Sequence, residues 1–170
     1  HDPRSISVLV TTDDLMASAV MEELGIQAAT SSRSDIIQQS LEHSAVLLAG
    51  DLDEALDFCN AFAAEHLEII TADPMGAFRS IRNAGSVFLG KYTPVAAGDY
   101  ASGTNHVLPT SGYARVFSGL NVDHFTKKIS VQMITDEGLL GLEETITTLA
   151  EAEGLKAHAE SVRRRLEPRE

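Results

Sequence analysis

Four short β-branched or apolar runs, the first three each followed by a stretch with helical spacing, constrain this 170-residue chain more than any other feature. Residues 6–12 (ISVLVTT) end in a Thr/Asp cluster and read as a buried strand. Residues 46–49, 67–71 and 86–89 repeat that signal. Between them, residues 13–24 place Leu15, Met16, Ala19, Val20 and Leu24 at helical spacing, with Gly25 as the expected stop. Residues 36–43 give a second helical pattern, Asp51 is placed to cap a helix over 52–64, and residues 74–83 give another. Strands alternating with helices predict an α/β fold in which a parallel sheet carries flanking helices, an incomplete Rossmann-like domain.

The pattern changes after residue 90. Residues 90–119 hold five glycines (Gly90, Gly98, Gly103, Gly112 and Gly119) together with Pro94 and Pro109, and read as one long irregular loop. A loop of that length inside a compact protein is usually functional or disordered, and its Tyr, Asn, His and Asp content favours function. From Asn121 the pattern is mostly helical, clearest over 137–153 and 155–166. This small C-terminal helical tail has too few apolar residues for a core of its own, so it is expected to pack on another domain or subunit. The predicted organisation is an α/β portion over 1–119 and a mainly helical segment over 120–170.

Charge excludes several classes of partner. The balance of 13 Lys and Arg against 25 Asp and Glu leaves a net charge of −12. Such a surface repels nucleic-acid phosphates and anionic membranes. No apolar run reaches the length of a membrane span. With no Trp and 5% aromatic residues, Leu, Ile, Val and Ala must fill the core. The single Cys59 allows no internal disulfide, which fits a reducing, cytoplasmic setting, and it reads as a small apolar side chain rather than a nucleophile. The chain opens on His1 without an initiator Met, as a processed start or a piece of something longer would.

Three segments carry candidate chemistry. In 64–68 (AEHLE), Glu65 and His66 offer two proton carriers with different working ranges. Neighbours on a regular strand point to opposite faces, so both reach one site only if the junction is irregular; a solvated turn is the alternative. In 98–110 (GDYASGTNHVLPT), Asp99 and His106 are oxygen and nitrogen donors of the kind found in zinc or manganese sites, while a hydrogen-bonded surface loop is the plain reading. In 153–158 (EGLKAH), His158 follows a break between helices, where a solvated imidazole is the ordinary outcome. No HExxH, Cys cluster, phosphate loop or GxGxxG is present, so any metal would be held by scattered N and O ligands.

The strings AEHLEIIT (64–71), NAGSVFLG (83–90), AGDYASGTNHVLPTSG (97–112) and AEAEGLKAH (150–158) resemble the histidinol dehydrogenase family in order and separation. The resemblance implies the C-terminal part of an NAD-dependent zinc enzyme that oxidises L-histidinol to L-histidine through histidinaldehyde. It assigns one zinc per active site to Gln, His, Asp and His ligands. His1, Asp99 and His158 match three of them, and the Gln would lie ahead of His1. Glu65 and His66 match the family's proton acceptors; His1, His66, Asp99, His106, Glu153 and His158 match substrate-contacting positions. The nucleotide-binding part of the family also lies upstream, so no NAD-contacting residue is assigned here. A homodimer is implied in which the C-terminal segment enters the partner's site. Two other readings stand beside this one: a dehydrogenase of another amino alcohol, and a non-catalytic metal-binding α/β fragment.

Overall fold

The computed structural model of the chain describes residues 2–167. They fall into two compact units, one ending at Phe125 and the other beginning at Thr126. In the first, β1 (Val8–Thr11) pairs in parallel with β2 (Ala45–Leu48), and β3 (His66–Ile69) pairs in parallel with β4 (Ser86–Leu89). The helices α1 (Asp14–Thr30) and α2 (Ser34–Leu41) join β1 to β2, α3 (Leu52–Phe62) leads into β3, and α4 (Pro74–Phe78) joins β3 to β4. The α/β class with parallel strands and flanking helices is therefore as expected. The single sheet resolves into two two-stranded sheets, each ladder closing between strands joined by their own crossover.

Most bounds shift by one or two residues, and three departures from expectation are larger. Helix α1 runs through Gly25 to Thr30. A mid-helix glycine costs only about 1 kcal/mol relative to alanine, and the start is held by the Asp13 carboxylate, which accepts from the Leu15 and Met16 amides at 2.9 and 3.1 Å. Helix α4 stops at Phe78 rather than Asn83, because the polar groups of residues 80–83 are taken by another element, described below. Inside the predicted loop, Val95–Tyr100 form a short helix, α5. Pro94 precedes it with a φ of −72°, a value already suited to a helix entry.

The core of this unit lies around the second strand pair. Leu56, Ile69 and Ala77 are buried, with Leu67, Ile81, Val87 and Leu89 packed against them. Full burial of a leucine or isoleucine side chain stabilises by about 1.5–3 kcal/mol, so β3 and β4 are the best anchored strands. The helices entered from β1, β2 and β3 are each capped by a carboxylate, from Asp13, Asp51 and Asp73. These caps satisfy otherwise orphaned helix N–H groups. They also put the protein's own negative charge where doubly wound folds present open N–H groups to phosphate.

In the second unit, α6 (Asp136–Ala152) and α7 (Lys156–Leu166) pack on each other. Thr135 caps α6 by accepting from the Gly138 amide, and Gly154 ends it at a φ of +76°, a left-handed angle that suits glycine. There the Gly154 amide donates to the Glu151 carbonyl and the Leu155 amide to the Ala150 carbonyl, at 2.9 and 2.7 Å. Among the described residues of this unit, those buried are small or medium: Thr147, Ala150, Ala159 and Val162. Leu140 and Leu149 are each 61% exposed. Among the described residues no helix is long and apolar enough to cross a membrane.

Candidate active site

The irregular junction that Glu65 and His66 require begins one turn earlier. Helix α3 ends at Ala63, which is buried and holds a left-handed φ of 55°. That conformation costs an L-residue about 1–2 kcal/mol. It turns the chain sharply, so that Glu65 precedes β3 in a bend and His66 opens the strand. Two ladder bonds then clamp the junction to β4, from the Gly85 amide to the Ala64 carbonyl and from the Ser86 amide to the Glu65 carbonyl, each at 2.9 Å. Gly85 is required there: a Cβ on it would lie 2.6 Å from the Glu65 carbonyl oxygen.

This arrangement places a carboxylate near each nitrogen of one imidazole. Glu65 Oε1 lies 3.8 Å from His66 Nδ1, and Asp99 Oδ1 lies 3.9 Å from His66 Nε2. Both separations exceed hydrogen-bond length, and all three side chains are half-buried. His66 Nε2 is shut off from solvent and has no hydrogen-bond partner. A buried polar atom left unpaired costs about 1–3 kcal/mol and needs a reason. A substrate hydroxyl or a cation seated between imidazole and Asp99 would satisfy it.

Asp99 reaches this point because α5 presses on β4. Gly98 is buried, and a Cβ there would fall 2.7 Å from Phe88 Cε1 and 3.3 Å from Thr104 Oγ1. The Thr104 hydroxyl donates to the Gly98 carbonyl at 3.0 Å and ties the following loop back to the helix. The Phe88 ring lies 5.9 Å from the His66 ring, centroid to centroid, tilted by 32°. Gly85, Phe88, Gly98 and Thr104 thus shape the site; of these the sequence marks only Gly98, as a glycine permitting close approach. The only signal for the others was their presence in the two glycine-bearing strings.

The remaining candidates make no hydrogen bond or ion pair with this group among the described residues, or lie outside them. His1, expected as a metal ligand, is outside them. His106 is exposed in the loop after α5, where the Asn105 side chain accepts from the Val107 amide at 2.8 Å. Glu153 and His158 belong to the second unit and are exposed, Glu153 as the C-cap of α6 and His158 in the first turn of α7. Among the described residues no group of three or more His, Cys, Asp and Glu side chains is arranged to hold a metal ion. The donor types still suit zinc, since imidazole nitrogen and carboxylate oxygen are among its ordinary ligands. The Asp99 carboxylate accepts no hydrogen bond from any described residue and has donor capacity to spare. Cys59, in α3, is partly buried, and that burial pushes its thiol pKa up, which keeps it protonated and unreactive at neutral pH.

The family model for histidinol dehydrogenase matches residues 1–166. The chain belongs to the histidinol dehydrogenase family. The histidinol dehydrogenase of Methanosarcina barkeri is 56% identical over 165 residues, which cover 97% of this chain and 38% of that protein. That of Methanothermobacter thermautotrophicus is 55% identical over 167 residues, covering 98% and 39%. The crystal structure of histidinol dehydrogenase from Elizabethkingia anophelis superposes with a TM-score of 0.94 at 38% identity, covering 98% of this chain and 38% of that one. The chain therefore spans about two fifths of the length of the relatives it matches. Within this family, Glu65, His66 and Asp99 fall in the strings AEHLEIIT and AGDYASGTNHVLPTSG.

Proposed function

We propose that this chain is the C-terminal portion of a histidinol dehydrogenase and carries its proton-transfer groups. The observation that bears most weight is the placing of Glu65 and Asp99 beside the two ring nitrogens of His66. In this reading His66 accepts the hydroxyl proton of L-histidinol as hydride departs. Glu65 then draws a proton from water as that water adds to histidinaldehyde. Oxidation of an alcohol needs a base, and oxidation of an aldehyde needs a nucleophilic oxygen, so two proton carriers side by side suit a two-step reaction. Each positioned acid–base group is worth roughly 10²–10⁴-fold in rate.

Asp99, His158 and His1 would hold zinc together with a ligand from the rest of the enzyme. When bound, zinc supplies an anchor for the imidazole and amino nitrogens of the substrate, and NAD supplies the hydride acceptor. His106 and Glu153 would contact the substrate. Residues 1–119 would carry the metal and substrate site, and 120–170 would pack on a partner subunit in a homodimer. The exposed Leu140 and Leu149 on α6 support a covered surface there. The lone Cys59, unpaired, supports a cytoplasmic setting.

The test is an NADH absorbance assay on the whole protein with L-histidinol, run with metal analysis. The expected result is NADH at twice the amount of histidinol consumed, with zinc present, loss of activity on chelation and recovery on zinc addition. No NADH from zinc-loaded dimer would sink the reading.

A further inference from the structure

The active-site junction is reached from two directions by one buried side chain that the reaction itself does not use. Asn60, in the last turns of α3, is 6% exposed and hydrogen-bonded through both ends of its carboxamide. Its Nδ2 donates to the Ser80 carbonyl at 2.9 Å. Its Oδ1 accepts from the Arg82 and Asn83 amides at 2.6 and 3.3 Å. The Asn83 side chain donates back to the Asn60 carbonyl at 2.9 Å. The bracket therefore joins the end of α3 to the segment that enters β4.

Both ends of that bracket lead directly to the site. Along one strand of the connection, Asn60 is followed by the left-handed Ala63 and then Glu65 and His66. Along the other, Asn83 is followed by Gly85 and Ser86, whose amides hold the Ala64 and Glu65 carbonyls. A hydrocarbon at position 60 would leave the Ser80 carbonyl and the Arg82 and Asn83 amides to find other partners. The clamp on Glu65 would then slacken while the β1–β2 pair kept all of its own bonds. We infer that Asn60 is a positioning residue: it sets the registry of the 63–66 turn against β4 and thereby the placing of Glu65 and His66. This rests on the proposed dehydrogenase reading for its kinetic consequence, but not for its structural one.

Hydrogen-exchange mass spectrometry on the whole protein separates the two. In Asn60→Leu, which keeps the branched shape but is larger and has no polar atoms, peptides covering 64–67 and 84–87 should exchange roughly ten- to a hundred-fold faster. Peptides covering 8–11 and 45–48 should exchange at the wild-type rate. With L-histidinol, kcat should fall at least about tenfold with KM and zinc content unchanged, as expected when the reacting groups and not substrate binding are displaced. Asn60→Asp keeps the acceptor for both amides but turns a carboxylate oxygen on the Ser80 carbonyl, so it should recover kcat only in part. Wild-type exchange at 64–67 and 84–87, or equal acceleration in both strand pairs, would overturn the inference. Should Asn60→Leu fail to fold, Asn83→Ala removes only the returning bond and should speed exchange several-fold in the same two peptides; no change there would count equally against it. If the wild-type protein makes no NADH from histidinol, the dehydrogenase reading falls while the exchange data still decide the role of Asn60.

Discussion

The two parallel strand pairs of the first unit are built alike, four residues against four, yet only one carries candidate chemistry. At the N-terminal end of β1–β2 the chain places Ser7 and Ser44, whose groups are spent on each other and on the backbone. The Ser7 amide donates to Ser44 Oγ at 3.1 Å, and that hydroxyl donates to the Ser40 carbonyl at 2.9 Å. At the same end of β3–β4 the chain places Glu65 and His66, with ring nitrogen left unpaired. The pairs differ in their support as well. The β3–β4 pair is backed by the buried cluster of Leu56, Ala77 and its own Ile69, a bracketing asparagine and a glycine-permitted close approach. No residue of β1 or β2 is fully buried, and α1 leaves Leu15 80% exposed. An unsatisfied imidazole is sustainable only where the surrounding scaffold is over-determined.

Substitutions at matched places in the two pairs can break this contrast. His66→Asn should lower kcat for histidinol by roughly 10²–10⁴-fold, whereas Ser44→Ala should leave kcat intact and cost only about 1 kcal/mol of stability. Equal effects in steady-state kinetics would erase the distinction between the pairs. Gly85→Ala should destabilise by about 1–3 kcal/mol, because its methyl meets a backbone carbonyl that cannot move without shifting the strand. Gly25→Ala in α1 meets nothing within 4 Å and should stabilise by about 0.5–1 kcal/mol. Denaturant melts of the two variants should therefore move in opposite directions.

The smallest effect concerns Cys59. Its thiol pKa is raised by burial, so the folded state prefers the protonated form. That contribution to stability is complete below the ordinary thiol pKa and is lost as pH rises toward the raised value. Alkylation by iodoacetamide at neutral pH should accordingly run slower than for the unfolded chain; equal rates would contradict the assignment.

How much of this was legible in the sequence follows the same divide. The strand over 86–89 and the Asp51 cap were readable, because β-branched runs and capping carboxylates act locally. Helix α5 was not, since six residues between Pro94 and Ala101 show too little periodicity to separate helix from loop. The convergence of Glu65 and His66 was readable only as a condition on the junction. That condition is met by Ala63 in a left-handed conformation, which an alanine gives no sign of adopting. Asn60 was silent too: a polar residue within a helical pattern reads as surface, and only tertiary structure shows it buried and bonded.

The central claim is that the start of β3 presents two distinct proton carriers to one substrate. The most direct measurement is the yield of NADH per histidinol in Glu65→Gln, taken with a carbonyl trap in the whole enzyme. The expected result is half the wild-type yield, with the first oxidation intact and histidinaldehyde recovered as its trapped adduct. A full yield at the wild-type rate, with no aldehyde trapped, would contradict it.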